Sequence, residues 1–220
     1  MAEAQSGREP AAERAYRYAK ELILSGELAG GSLISEGEIA ERVGLSRTPV
    51  REAFLRLEGE ELLRLFPKKG AVVSPMPPGE AEDVLELREV LECTAVERIV
   101  RWEAAALDDF VARLRAAVRA QDAPAREMDL KAFVAADETF HRSLVTASGN
   151  ALADRFYRSL GDRQRRMAAL ALRPRPERLP VLVREHGALA DAVADRDPER
   201  FRAALRAHLD ATHRALLGTA

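Results

Sequence analysis

The sequence predicts a mainly α protein in two parts: an N-terminal domain of short helices ending in a hairpin, and a C-terminal all-α six-helix bundle. Three observations lead there. Hydrophobic residues make up 47% of the 220 but aromatics only 5%, with Ala, Leu, Arg and Glu dominating, a composition that favours helix. The proline-rich stretch "SPMPPGE", Ser74–Glu80, breaks helical continuity and reads as an extended linker. Before it, helical segments alternate with glycine breaks; after it, nearly everything has helical periodicity. The expected division is residues 1–74, a linker at 75–80, and 81–220.

The first helix is expected from Ala11 to Ser25, with Ala15, Tyr18, Leu22 and Ile23 at helical spacing. "SGELAGGSLIS" reads as a turn. A second helix follows over Glu36–Val43, its apolar side made by Ile39, Ala40 and Val43. In "GLSRTP", Gly44 can end that helix, Ser46 can cap the next, and Pro49 falls in the first turn, where its missing N–H costs little. The third helix runs to about Glu60 and buries Val50, Ala53, Phe54 and Leu57. Leu63–Phe66 and Ala71–Val73 read as two short strands joined by a turn over Pro67–Gly70.

Six helices are expected beyond the linker: Glu80–Ala105, Leu107–Gln121, Glu127–Ser148, Ala151–Ala171, Leu179–Ala194 and Pro198–Leu217. Gly149-Asn150 and "RPRPERLP" supply breaks, and Asp197-Pro198 forms an N-cap and first-turn pair.

Charge excludes some function classes. Charged residues make up 32%, yet the formal net charge is −2, so any nucleic-acid surface must be local. A single cysteine, Cys93, permits no disulfide within the chain, which suits a reducing cytoplasm. No apolar run approaches the ~20 residues that span a membrane, and the polar opening "MAEAQSGREPAAER" lacks a signal peptide's apolar centre. A cytoplasmic protein is expected, with no membrane partner.

Two short helices, a tight turn, a third helix and a hairpin make a winged helix-turn-helix pattern. Arg47 and Arg51, four residues apart, project from one face of the third helix, with Ser46 and Thr48 near them. Arginine can take guanine bidentately in the major groove, and hydroxyls can bind phosphates or base edges. Lys68 and Lys69 in the wing turn can meet phosphates. From Arg42 to Lys69, seven basic residues (Arg42, Arg47, Arg51, Arg56, Arg64, Lys68, Lys69) face four acids (Glu52, Glu58, Glu60, Glu61). The bland alternative is a solvated helix whose arginines pair with glutamates.

In the helical part, Asp137 and His141 of "DETFH" share a helical face. His186 and His208 adjoin apolar positions on the last two helices. The short connection at Asp195–Asp197 makes those helices an antiparallel hairpin with both histidines at similar heights. If the third helix of the bundle packs against that hairpin, one carboxylate and three imidazoles converge, a set suited to a divalent transition metal: zinc, nickel or manganese. The alternative for Asp137–His141 alone is a solvated or capping pair. His213, five residues after His208, points about 140° away and reads as a surface residue.

The string "LISEGEIAERVGLSRTPVREAFLRLEGEELL" with "PKKGAVV" resembles the DNA-binding domain of GntR-family transcription regulators. The resemblance implies operator contacts by Ser46, Arg47, Thr48, Arg51, Lys69 and Gly70. Two positions depart from the pattern: Gly37 where an arginine stands early in the second helix of the member that names the FadR subfamily, and Glu61 where glycine often ends the recognition helix. The first departure puts one DNA contact in doubt, and the second implies a slightly different helix exit. "DETFHRSLVTASGN" and "EHGALADAVADRDPERFRAALRAHL" are similar to the FCD effector domain of that subfamily. A six-helix count looks more like the VanR-type branch. This likeness implies metal-ligand roles for Asp137, His141, His186 and His208, and effector roles for Arg88 and Asn150, although Asn150, at a helix break, can equally be a cap. Arg165 and Arg166 are weaker effector candidates and read better as a solvated charged face.

The function expected is therefore a ligand-responsive regulator, a repressor, that binds a palindromic operator as a homodimer and takes a small carboxylic acid in a metal-containing pocket. The rival is a metal-dependent enzyme with an accessory DNA-binding domain, though no general base or nucleophile motif adjoins the cluster. A third reading keeps the metal as a purely structural brace.

Overall fold

The computed structural model describes residues 9–217; residues 1–8 of the polar opening lie outside them. The chain divides into two compact units, residues 1–77 and 78–220.

In the first unit the order is α1 (Ala11–Leu24), β1 (Leu33–Ile34), α2 (Glu36–Val43), α3 (Arg47–Gly59), β2 (Leu63–Phe66) and β3 (Gly70–Val73). Ser35 and Glu38 form a reciprocal capping box at the start of α2, and Gly44 ends it in the left-handed conformation. Val50, Ala53, Phe54 and Leu57 of α3 are buried, as their spacing requires, against α1 residues including Ala15, Ala19 and Ile23. The hairpin is one strand larger than the sequence suggested. Leu33 and Ile34, read as part of a turn, pair antiparallel with Val72 and Ala71, giving a three-stranded sheet in the order β1-β3-β2. Gly70 makes that closeness possible: at φ +96°, a β-carbon there would stand 2.6 Å from the Ile34 carbonyl oxygen.

The second unit is α4 (Glu80–Ile99), α5 (Ala104–Arg119), α6 (Asp122–Glu127), α7 (Leu130–Ala147), α8 (Ala151–Ser159), α9 (Gly161–Leu172), α10 (Leu179–Ala194) and α11 (Pro198–Leu216). All six expected helices are present. The fourth is divided at Leu160 into α8 and α9, and a six-residue helix, α6, precedes the third. Gly161 opens α9 where α7 passes close: a β-carbon there would stand 3.2 Å from Glu138 Oε1. Asp129 caps α7 through Ala132 N, and Asp197 caps α11 through Arg200 N. Between α10 and α11, Arg196 takes φ +56°, and its guanidinium donates to the Val100 and Trp102 carbonyls at the end of α4. That cation satisfies carbonyls a helix C-terminus leaves open. The turn is thereby tied to α4, and α11 packs on both α10 and α4, with α7 against α4. Among the described residues no helix is long and apolar enough to cross a membrane.

Candidate metal centre and nucleic-acid surface

Asp137 and His141 of α7, His186 of α10 and His208 of α11 each offer a ligand atom, and these atoms lie within 4.8 Å of one another. The three imidazoles are buried, and Asp137 is only slightly open. Each ring is held from behind. His141 Nδ1 lies 2.7 Å from Glu92 Oε2, His186 Nδ1 2.6 Å from Gln121 Oε1, and His208 Nδ1 2.7 Å from Glu185 Oε2. Oxygens of this kind only accept, so each Nδ1 carries the proton and each Nε2 turns an open lone pair to the centre. There the lone pairs crowd: His141 Nε2 is 3.2 Å from His186 Nε2, and Asp137 Oδ1 is 3.8 Å from the first and 3.3 Å from the second. Acceptors converging without a donor among them are what a cation resolves. The residues present therefore fit a divalent metal ion, with three neutral nitrogens and one carboxylate as its holders.

The protonation states agree. Burial pulls the His141 imidazole well below its ordinary value, and the nearby Arg88 charge adds to this. Burial likewise lowers His208, outweighing the Glu185 hydrogen bond. For Asp137 burial alone would raise the carboxyl, but the surrounding polar groups, with the Arg88 charge among them, hold it below the usual range.

Beside this group stands Arg88 of α4, buried, its Nε donating to Glu92 Oε1 at 2.9 Å. The Tyr157 hydroxyl donates to the same oxygen at 2.8 Å. Arg88 Nη2 is buried with no hydrogen-bond partner. Burial would lower the guanidinium, yet Tyr157, Glu92 and Asp137 keep it charged.

The structure thus brings together all four expected metal residues and Arg88. Asn150 Oδ1 accepts from Leu152 N and Ala153 N, both at 3.2 Å, capping α8, as the cap reading of this helix-break residue expects. His213 sits outside the cluster, 2.8 Å from Glu82. Arg166 is buried, and burial lowers its guanidinium; it is not part of a solvated face. Glu92, Gln121, Glu185 and Tyr157 were missed. Only Glu92 left a trace in the sequence, four residues after Arg88, where one helical turn makes a pair.

In the first unit, Ser46, Arg47, Thr48 and Arg51 are all exposed on α3, and Lys68 and Lys69 on the turn between β2 and β3. Ser46 stands at the N-cap position but its side chain makes no capping bond, contrary to expectation, which leaves the hydroxyl outward. Arg47 reaches over Gly37, so close that a β-carbon built there would lie 3.5 Å from its Nη2. Arg56, counted among the local basic residues, instead bonds Glu13 at 2.7 Å and stacks 3.7 Å over the Tyr16 ring. Glu61, where the family pattern often has glycine, adopts φ +62°, the left-handed conformation that glycine favours.

Family models place this geometry. Residues 11–73 match the gntR family of bacterial regulatory proteins, and residues 83–211 match the FCD domain. An HTH-type transcriptional regulator of Streptomyces ambofaciens is 34% identical over 197 residues, covering 89% of this chain and 80% of the relative. A probable D-xylose utilization operon transcriptional repressor of Paenarthrobacter nicotinovorans is 32% identical over 189 residues, covering 86% and 81%. A putative GntR transcriptional regulator from Rhodococcus sp. RHA1 shares the fold at TM-score 0.74 and 22% identity, over 95% of this chain and 98% of that one. The two units together define a DNA-binding transcription regulator with a helical FCD domain. The chain belongs to the GntR family; it is a regulator of transcription, not the metal-dependent enzyme that the cluster alone allowed.

Proposed function

We propose that this protein is a metal-containing, effector-responsive repressor of the FadR-type branch that binds a palindromic operator as a homodimer in the cytoplasm. One observation carries the effector reading: Arg88 Nη2, a buried cationic donor with no partner, beside three imidazoles and a carboxylate whose open atoms converge. A buried unmet donor is costly unless something else satisfies it. Asp137, His141, His186 and His208 would hold the metal, with zinc the best match and nickel or manganese also suited. The metal supplies a fixed positive charge that attracts an anionic group. Arg88 Nη2 would donate to the carboxylate of a small acid drawn to that charge.

On the DNA side, Arg47 and Arg51 would read base edges, Ser46 and Thr48 would position the helix on the backbone, and Lys69 with Gly70 would bring the wing to a phosphate. One such helix reads too few bases for useful specificity, so a dimer on two half-sites is needed. The linker at residues 75–80 would join the domain of residues 1–74 to that of residues 81–220. The repressor sign is supported by the naming of a relative as a repressor. Effector binding would shift the dimer toward an arrangement that fits the operator less well.

The test selects genomic fragments with the purified chain and measures binding to one of them against a panel of small carboxylates at constant zinc. A carboxylate that releases the wild type but not Arg88→Met, with both binding DNA equally in its absence, supports the reading. Equal release of both proteins contradicts it.

A further inference from the structure

Glu92 touches both halves of the proposed centre. It is completely buried and uses both carboxylate oxygens. Oε2 holds His141 Nδ1 at 2.7 Å, while Oε1 accepts from Arg88 Nε at 2.9 Å and from the Tyr157 hydroxyl at 2.8 Å. The other two imidazoles are held differently. His186 leans on the neutral amide of Gln121, and His208 on Glu185, a partly open residue whose other neighbour is Arg178 at 3.9 Å. Among the three side chains that hold the rings from behind, Glu92 is the one that also bonds the arginine with the unmet donor.

We propose that Glu92 is the positioning residue that couples metal to effector in this domain. It turns His141 Nε2 toward the metal, and through Nε it aims Arg88 Nη2 into the same space. Tyr157 fixes the carboxylate from α8, so the junction ties α4, α7 and α8 together. A rigid carboxylate shared by two groups transmits the displacement of either one to the other. An acid that pulls on Arg88 therefore moves His141, and a metal that draws in His141 re-aims Arg88; the coupling is reciprocal. The inference rests on the proposed metal centre and adds a link that the four ligands do not contain.

The test uses the full chain with zinc alone as probe. Zinc affinity is measured by chelator competition for the wild type, Glu92→Gln and Glu185→Gln. Solvent protection of the Arg88 Nε–H is followed by ¹⁵N spectroscopy, its signal assigned by loss in Arg88→Lys. The expected result is a fall in zinc affinity of about 10-fold or more in both glutamine variants, with loss of Arg88 protection in Glu92→Gln only. Arg88 protection surviving in Glu92→Gln, or zinc affinity unchanged there, overturns the coupling. If Glu92→Gln does not fold, the zinc-loaded wild type decides by long-range imidazole spectra: His141 protonated at Nδ1 supports the inference, and His141 protonated at Nε2 overturns it. A folded wild type that binds no zinc overturns the metal reading itself, and this inference with it, before any variant is compared.

Discussion

At the scale of single residues, two of the three arginines of α3 separate from the third by what they touch. Arg47 and Arg51 are exposed, whereas Arg56 is spent on Glu13 and the Tyr16 ring. Arg47→Ala and Arg51→Ala are each expected to cost about 1–3 kcal/mol of specific operator binding. Arg56→Ala should leave base specificity unchanged. Titration of a selected fragment at fixed salt reads all three. The Asp/His cluster was legible for a related reason: i, i+4 spacing fixes Asp137 with His141, and a short hairpin turn fixes the heights of His186 and His208. The residues behind the rings were not legible, because Gln121 and Glu185 meet their histidines only through packing of distant segments. Asn150 caps α8 through its Oδ1. Asn150→Ala should cost about 1 kcal/mol of stability in urea unfolding while leaving zinc affinity unchanged. Cys93 is buried, its thiol pushed up to about 11 by burial, so it is a packing residue rather than a redox one.

At the scale of elements, two backbone positions carry opposite expectations. Glu61 holds a left-handed turn without being glycine. Glu61→Gly should raise the stability of the first unit by about 1 kcal/mol, since the side chain's clash with its own backbone disappears. Gly70→Ala should lower it by about 1–3 kcal/mol, because the Ile34 carbonyl must give way to the new β-carbon. Thermal melts of the two variants against wild type measure both. The elements that sequence reading missed are the short or subtly divided ones. β1 is two residues long and owes its strand character to Ala71 and Val72, nearly forty positions away, so no local pattern announces it. The division at Leu160 has no proline to mark it; Gly161 is its local sign, and the approach of Glu138 from α7 that favours a glycine there is tertiary. Long amphipathic helices, by contrast, were recovered because their stripes are local and repeat many times.

At the scale of the molecule, the buried imidazoles make stability depend on both pH and metal. In the folded, metal-free protein His141 and His208 resist protonation below the ordinary imidazole value of 6.5. The unfolded chain takes up protons there that the folded chain refuses, so stability is retained above that value and falls as pH drops below it. The urea midpoint of chelator-treated protein should decline between pH 7.5 and 5.5. Metal works in the other direction. A ligand that binds only the folded state adds about 2.7 kcal/mol at 100 times its dissociation constant, so zinc should raise the melting temperature of the wild type and leave a His141→Ala/His186→Ala variant unmoved. The central claim is that the regulator's helical domain is built around a metal ion, and elemental analysis of the full chain purified without chelator tests it most directly. The account predicts about one divalent transition metal ion per chain in the wild type, and close to none in the folded double variant. A folded wild type free of metal, or a double variant that keeps it, would contradict the account.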